Sequence, residues 1–239
     1  MTPDQIFSII ESARDREIMQ FTLIYDGPLP AGPGKRTLYA SKIRNQLHDQ
    51  LADLWDSHVV MRKLAREARV WPEQALDLKM GNVGVDTDDY NWPLPPVPDG
   101  MIDLCGPVEV EGIGVFRPLV RRSLHLACSI DIVFLRHEEP MHLFEQGGDL
   151  DNRIKCFFDG LKVPDKLRQG EKYEGEFVEC EPYPLCCLLE DDKWISDFSV
   201  QTGRLLGRSE KKRHDVRITA TVRIKVLRVN DQNLCIVGD

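Results

Sequence analysis

The chain has 239 residues, enough for one large domain or two small ones, and its 42% hydrophobic and 29% charged content excludes global disorder. A net charge of −8 excludes a surface coated in basic residues, though nucleic acid needs only a local basic patch. No apolar run approaches a membrane span and no leader stands at the N-terminus, so neither a membrane protein nor a secreted one is expected. The seven cysteines lack the spacing of a disulfide framework or a zinc knuckle, which points to reduced thiols and a cytoplasmic protein.

In chain order, residues 3–17 fit a short polar helix with Ile6, Ile9 and Ile10 on one side. From 18 to 25 the residues turn to β-formers, with Phe21, Leu23 and Tyr25 alternating, so a strand is expected. Asp26-Gly27-Pro28 ends it, and Pro30, Gly32, Pro33 and Gly34 continue a stiff loop. Ile43, Leu47, Leu51, Leu54 and Trp55 recur at helical spacing and predict a helix over 38–58, which 62–69 extends or follows as a second segment. Across 70–120, Pro93, Pro95, Pro96 and Pro98 enforce an extended path, and Val108, Val110, Ile113 and Val115 suggest a short hairpin.

The strand over 124–134 is the cleanest signal. Leu124, Leu126, Cys128, Ile130, Ile132 and Phe134 form its apolar face, and Asp131 falls on its polar face, either supporting a site or simply exposed. Gly148 to Leu161 then shows Ile154, Phe157, Phe158 and Leu161 at i, i+3, i+4 and i+7, an amphipathic helix with Asp151 near its N-cap. An acidic segment fills 165–183, and 185–189 leads into Glu190-Asp191-Asp192-Lys193. Two alternating strands close the chain, over 194–200 and 218–226, joined by 203–214 as a protruding hairpin. The order predicts an α+β fold, a mixed sheet packed against two main helices.

A packing helix needs a cap and an apolar stripe; it needs neither Asp149 nor a lysine one turn beyond Asp151. Phosphodiester hydrolysis needs a positioned, activated water and neutralised phosphate charge, and Mg²⁺ held by a few carboxylates supplies both. Asp149 and Asp151 at the helix start, with Asp192 from a distant turn, would make such a cluster, and Lys155 would meet the phosphate. The same residues also suit a plain capped helix, with Asp151–Lys155–Asp159 at i, i+4 surface spacing and Asp191-Asp192 a solvated turn. For gripping a phosphate backbone, Lys211-Lys212-Arg213-His214 is the best basic run, with Arg117, Arg121, Arg122 and Lys35-Arg36 as weaker versions.

Asp149-Leu150-Asp151-Asn152-x-x-Lys155, followed by Asp159-Gly160-Leu161 and later by Asp191-Asp192-x-x-Ile195, resembles the RusA family of Holliday junction resolvases. The resemblance implies a single α+β nuclease domain over 1–239, with insertions at about 60–120 and 162–190. It implies a homodimer that uses Mg²⁺ to nick four-way DNA junctions. Asp149, Asp151 and Asp192 match the metal-binding carboxylates, with Asp191 the alternative if the register slips by one, and Lys155 matches the catalytic lysine. Where the family carries basic residues just before the first aspartate, this chain has Phe144-Glu145-Gln146-Gly147-Gly148. The rival expectations are a nuclease for another branched DNA or RNA, and a non-catalytic nucleic-acid-binding or assembly module.

Overall fold

The computed structural model describes residues 19–29, 36–72, 99–137, 149–167, 172–176, 184–206 and 215–237, with the side chain of Asp149 outside that set. The elements, in order, are β1 (Met19–Pro28), α1 (Arg36–Ser57), α2 (Val59–Glu67), β2 (Arg69–Val70) and β3 (Ile102–Asp103). There follow β4 (Val108–Val110), β5 (Gly114–Val120), β6 (Leu126–Arg136), α3 (Asp149–Leu161), β7 (Leu185–Leu189), β8 (Ile195–Arg204), β9 (Asp215–Val226) and α4 (Leu234–Val237). The fold is thus mixed α+β, with a multi-strand sheet and several helices, as the element order implied. The predicted helix at 3–17, the proline-rich path at 93–98 and the basic run Lys211-Lys212-Arg213 lie outside the described residues. Among the described residues no helix is long and apolar enough to cross a membrane.

The main sheet has the order β1-β9-β6-β8, antiparallel except for the β6–β8 pair. Alternation sorts its residues onto two faces. Leu23, Tyr25, Ile130, Ile132, Phe134, Ile218, Ala220, Val222 and Ile224 are buried on the inner face. The outer face carries a polar row in which Arg223 donates to Gln20 (3.2 Å) and to Asp131, and Ser199 donates to Asp131 at 2.5 Å. Asp131 therefore belongs to the outer row, on the side away from the buried core.

One expectation is corrected and one strand is added. The last two strands are not hairpin partners, because β6 lies between them. The reason is compositional. In β9 apolar residues alternate without a break and are buried on one face, which suits a strand paired on both sides. The Ser, Asp, Gln and Thr of β8 are largely exposed and suit a sheet edge. Secondly, 185–189 is itself a strand. β7 is buried along its whole length and lies parallel to β5 in a second sheet of order β4-β5-β7. A strand covered on both faces shows an unbroken apolar run and no alternation.

Smaller differences concern boundaries. The hairpin expected at 108–115 is the β4–β5 pair. The helical segment after residue 58 is separate, because His58 adopts an extended conformation between α1 and α2. The cleanest strand starts at Leu126; Arg122–Leu124 form a 3-10 turn and His125 sits in the left-handed region at φ 52°. Arg117 and Arg121, read as weak phosphate contacts, are buried instead. Arg117 stacks 4.6 Å from the Trp55 ring centroid, and Arg121 Nη1 donates to the Gly106 carbonyl at 2.6 Å.

Helices α1 and α3 contribute Ile43, Leu47, Leu51, Trp55, Ile154, Phe157 and Leu161 to the same core as the inner face of the sheet. They approach closely at Gly160, where an added Cβ would lie 2.6 Å from Ile43 Cβ and 3.2 Å from the Ala40 carbonyl oxygen. Glycine is required there by contact, and that explains the middle residue of Asp159-Gly160-Leu161.

Candidate nuclease site on the charged face of α3

α3 begins at Asp149, so Asp151 lies inside the first turn and not at the cap position. With Ile154, Phe157 and Leu161 buried, the helical period sends Asp151, Lys155, Asp159 and Lys162 along the opposite stripe.

The stripe is divided. Lys155 Nζ donates to Asp151 Oδ2 at 2.6 Å, and the two side chains are 52% and 65% exposed. The Lys155–Asp159 contact that the spacing allowed is replaced: Asp159 pairs with Arg36 from the first turn of α1. Arg36 Nη2 also donates to the Lys155 carbonyl at 3.4 Å. Arg44, buried, caps the far end of the helix, with Nε donating to the Lys162 carbonyl at 2.8 Å and Nη2 to the Asp159 carbonyl at 2.6 Å. Burial pushes the Arg44 pKa down, and Tyr173 opposes that shift.

Lys162 Nζ lies 3.0 and 3.2 Å from the two Asp165 carboxylate oxygens. Burial disfavours its charge, but the Asp165 hydrogen bond and the negative charges of Asp165, Asp192 and Asp159 outweigh burial and hold the pKa above the ordinary lysine value. A cavity of about 210 Å³ opens beside this end of α3, lined by Thr37, Arg44, Asp159, Lys162, Lys166 and Tyr173 among others.

The aspartate pair divides its roles. Asp191 precedes the 3-10 turn Asp192–Trp194 and accepts from Lys193 N at 3.1 Å and Lys193 Nζ at 2.7 Å. Burial opposes ionisation of Asp191, but the side-chain and backbone hydrogen bonds from Lys193, with its charge and a hydrogen bond with Asp192, hold the carboxyl below its usual range. Asp191 thus fixes the turn. Asp192 stays exposed, one turn ahead of β8, and its charge acts on Lys162. The helix and this strand touch directly: the Phe158 and Phe198 rings meet edge-on with centroids 5.1 Å apart.

The structure therefore joins Asp151 to Lys155 and brings the field of Asp192 to Lys162. Among the described residues no three His, Cys, Asp or Glu side chains form a group that could hold a metal; Asp149, whose side chain is not described, falls outside that statement. The donor types still suit Mg²⁺, a hard cation that takes oxygen ligands and keeps several waters, so one or two carboxylates suffice.

Comparison with family models, with curated proteins and with solved structures finds no match in any of the three. Any functional reading therefore rests on the residues themselves. Sequence reasoning missed the roles of Arg44 and Lys162 and underrated Arg36. The available signal was the stripe itself, which runs on past Asp159 to Lys162 at i+3. The partners of Arg44 and Arg36, 115 or more residues away in sequence, were invisible.

Proposed function

We propose that this chain is a Mg²⁺-dependent endodeoxyribonuclease of the RusA-like class that nicks four-way junctions or related branched DNA. One observation carries the reading. Asp149-x-Asp151-Asn152-x-x-Lys155 opens a helix, Asp191-Asp192 stands one turn ahead of β8, and helix and strand are in ring contact through Phe158 and Phe198. Asp149, Asp151 and Asp192 are the residues that would hold the ion, and a bound Mg²⁺ supplies Lewis-acid charge and an activated water at the phosphodiester. Asp192 is favoured over Asp191, which is already committed to Lys193. Lys155 leaves Asp151 to contact the phosphate as a point charge, and an exposed i, i+4 pair of this kind gives up only a few tenths of a kcal/mol when it opens.

Paired nicks in a two-fold substrate need two sites related by a two-fold axis, so a homodimer belongs to the proposal. Buried free thiols at Cys105, Cys128, Cys156, Cys186, Cys187 and Cys235 support a reducing, cytoplasmic setting.

The test is incubation of a synthetic four-way junction with Mg²⁺ and wild-type protein, beside Asp151→Asn and Lys155→Ala. Wild type is expected to give paired nicks, and each variant to be at least about 100-fold slower. Equal products from all three proteins overturn the assigned site. An intact junction with wild type overturns the nuclease, and a junction bound but uncut points to the non-catalytic module.

A further inference from the structure

We infer that Arg36 is a second phosphate-binding residue of this site, held against α3 by Asp159 so that its guanidinium and the Lys155 ammonium meet the backbone of one nucleic-acid strand. The inference rests on the nuclease reading for its substrate. Its geometry stands apart from the metal ligands.

Arg36 is pinned to α3 by three contacts. Nε donates to Asp159 Oδ2, Nη2 donates to the Lys155 carbonyl at 3.4 Å, and the Arg36 carbonyl accepts from Cys156 Sγ at 3.6 Å. The contact at Gly160 leaves no slack between α1 and α3, so the guanidinium is carried on two rigid elements. A guanidinium has five N–H donors, and the described contacts use one on Nε and one on Nη2. The outer edge, with Nη1 and the second Nη2 hydrogen, is left for an acceptor, and the side chain is 43% exposed. That edge matches the fork geometry by which arginine binds phosphate oxygens.

Position adds to the argument. Arg36 stands in the first turn of a 22-residue helix with no acidic residue in that turn, where the helix dipole disfavours a cation. An anion at this spot complements the helix dipole. Asp159 then acts as the positioning residue for Arg36, which accounts for an aspartate one turn beyond Lys155 that does not pair with it.

The test measures binding without turnover. A fluorescein-labelled four-way junction is titrated by anisotropy with Ca²⁺ replacing Mg²⁺, at several salt concentrations, against wild type, Arg36→Ala, Arg36→Lys, Asp159→Asn and Lys155→Ala. Arg36→Ala is expected to bind about tenfold more weakly, and the slope of log K against log salt to fall by about 1, the signature of one lost phosphate contact. Arg36→Lys should keep the slope with intermediate affinity, and Asp159→Asn should keep the slope but weaken binding a few-fold. A merely structural Arg36 would shift thermal stability and leave the salt slope alone. Wild-type affinity and slope in Arg36→Ala overturn the inference while the nuclease stands. Slope loss in Arg36→Ala beside unimpaired cleavage by Lys155→Ala supports Arg36 and overturns the role given to Lys155. A wild type that binds no junction overturns both.

Discussion

The two ends of α3 use the same residue types to opposite purposes. At the C-terminal end the polar groups are held: Asp159 by Arg36 and the Asp159 and Lys162 carbonyls by Arg44, both from α1, and the Lys162 ammonium by Asp165 three residues on. At the N-terminal end Asp151 and Lys155 meet one another, each more than half exposed. A buried capping arginine fixes where a helix sits. An exposed i, i+4 pair is worth only a few tenths of a kcal/mol and can change partners at almost no cost. The contrast separates the part of the helix that holds the fold from the part free to exchange an internal counter-ion for a metal or a phosphate.

The sharpest test of that contrast lies at the N-terminal end. Asp151→Asn and Lys155→Ala should each cost at least about 100-fold in cleavage, nearly 3 kcal/mol in the barrier. The same variants should change unfolding stability by less than about 0.5 kcal/mol. Thermal unfolding beside single-turnover cleavage measures both. A drop of several degrees in Tm without loss of activity would break the comparison, because the N-terminal charges would then be structural.

At the other end, Gly160→Ala should do the reverse. Alanine has the better helix propensity by about 1 kcal/mol, yet its Cβ would meet Ile43 Cβ and Cγ2 at 2.6 Å. Ile43 is fully buried and its Cβ cannot swing aside, so a net loss of about 1–3 kcal/mol is expected in denaturant unfolding. In an Ile43→Gly background the same change should cost markedly less, because both clashing atoms, Cβ and Cγ2, are gone. Additive costs in the two backgrounds would show that the helix crossing is not set by this contact.

The sequence was most legible where one physical rule acted alone. β1 and β9 alternate between a buried and a more open face and β6 alternates in residue type, and alternation alone locates all three to within a few residues. α3 is legible for the same reason, with one buried stripe and one charged. β7 was given no element because Leu185 to Leu189 are buried on both faces and carry no period. The strand order was misread because 203–214 looks like a hairpin, and nothing local says that β6 intervenes. At the candidate site, spacing and resemblance singled out Asp149, Asp151, Lys155 and Asp192, and of these the structure joins Asp151 to Lys155. The roles of Arg44, Arg36 and Asp159 depend on contacts between α1 and α3, a long-range fact that no motif encodes.

The smallest effect expected concerns Lys162, and its pH dependence has a definite sign. Its folded pKa lies above the ordinary lysine value, because Asp165, Asp192 and Asp159 outweigh the burial that opposes the charge. Folding therefore favours the protonated form. The stabilisation is complete below the unfolded lysine pKa of about 10.4 and is lost as pH rises through the higher folded value. Lys162→Met keeps the aliphatic stem and removes the charge; because Asp165 is 84% exposed, the released carboxylate is solvated and the cost should be only about 1 kcal/mol. Other lysines and tyrosines titrate in the same window, so the informative quantity is the difference between wild type and Lys162→Met. That difference should be flat from pH 7 to about 10 and shrink above it. An advantage that instead fades on acidification, or that is absent at pH 7, would mean that Lys162 is not held by its carboxylates, and the C-terminal end of α3 would lose its claim to be the fixed one.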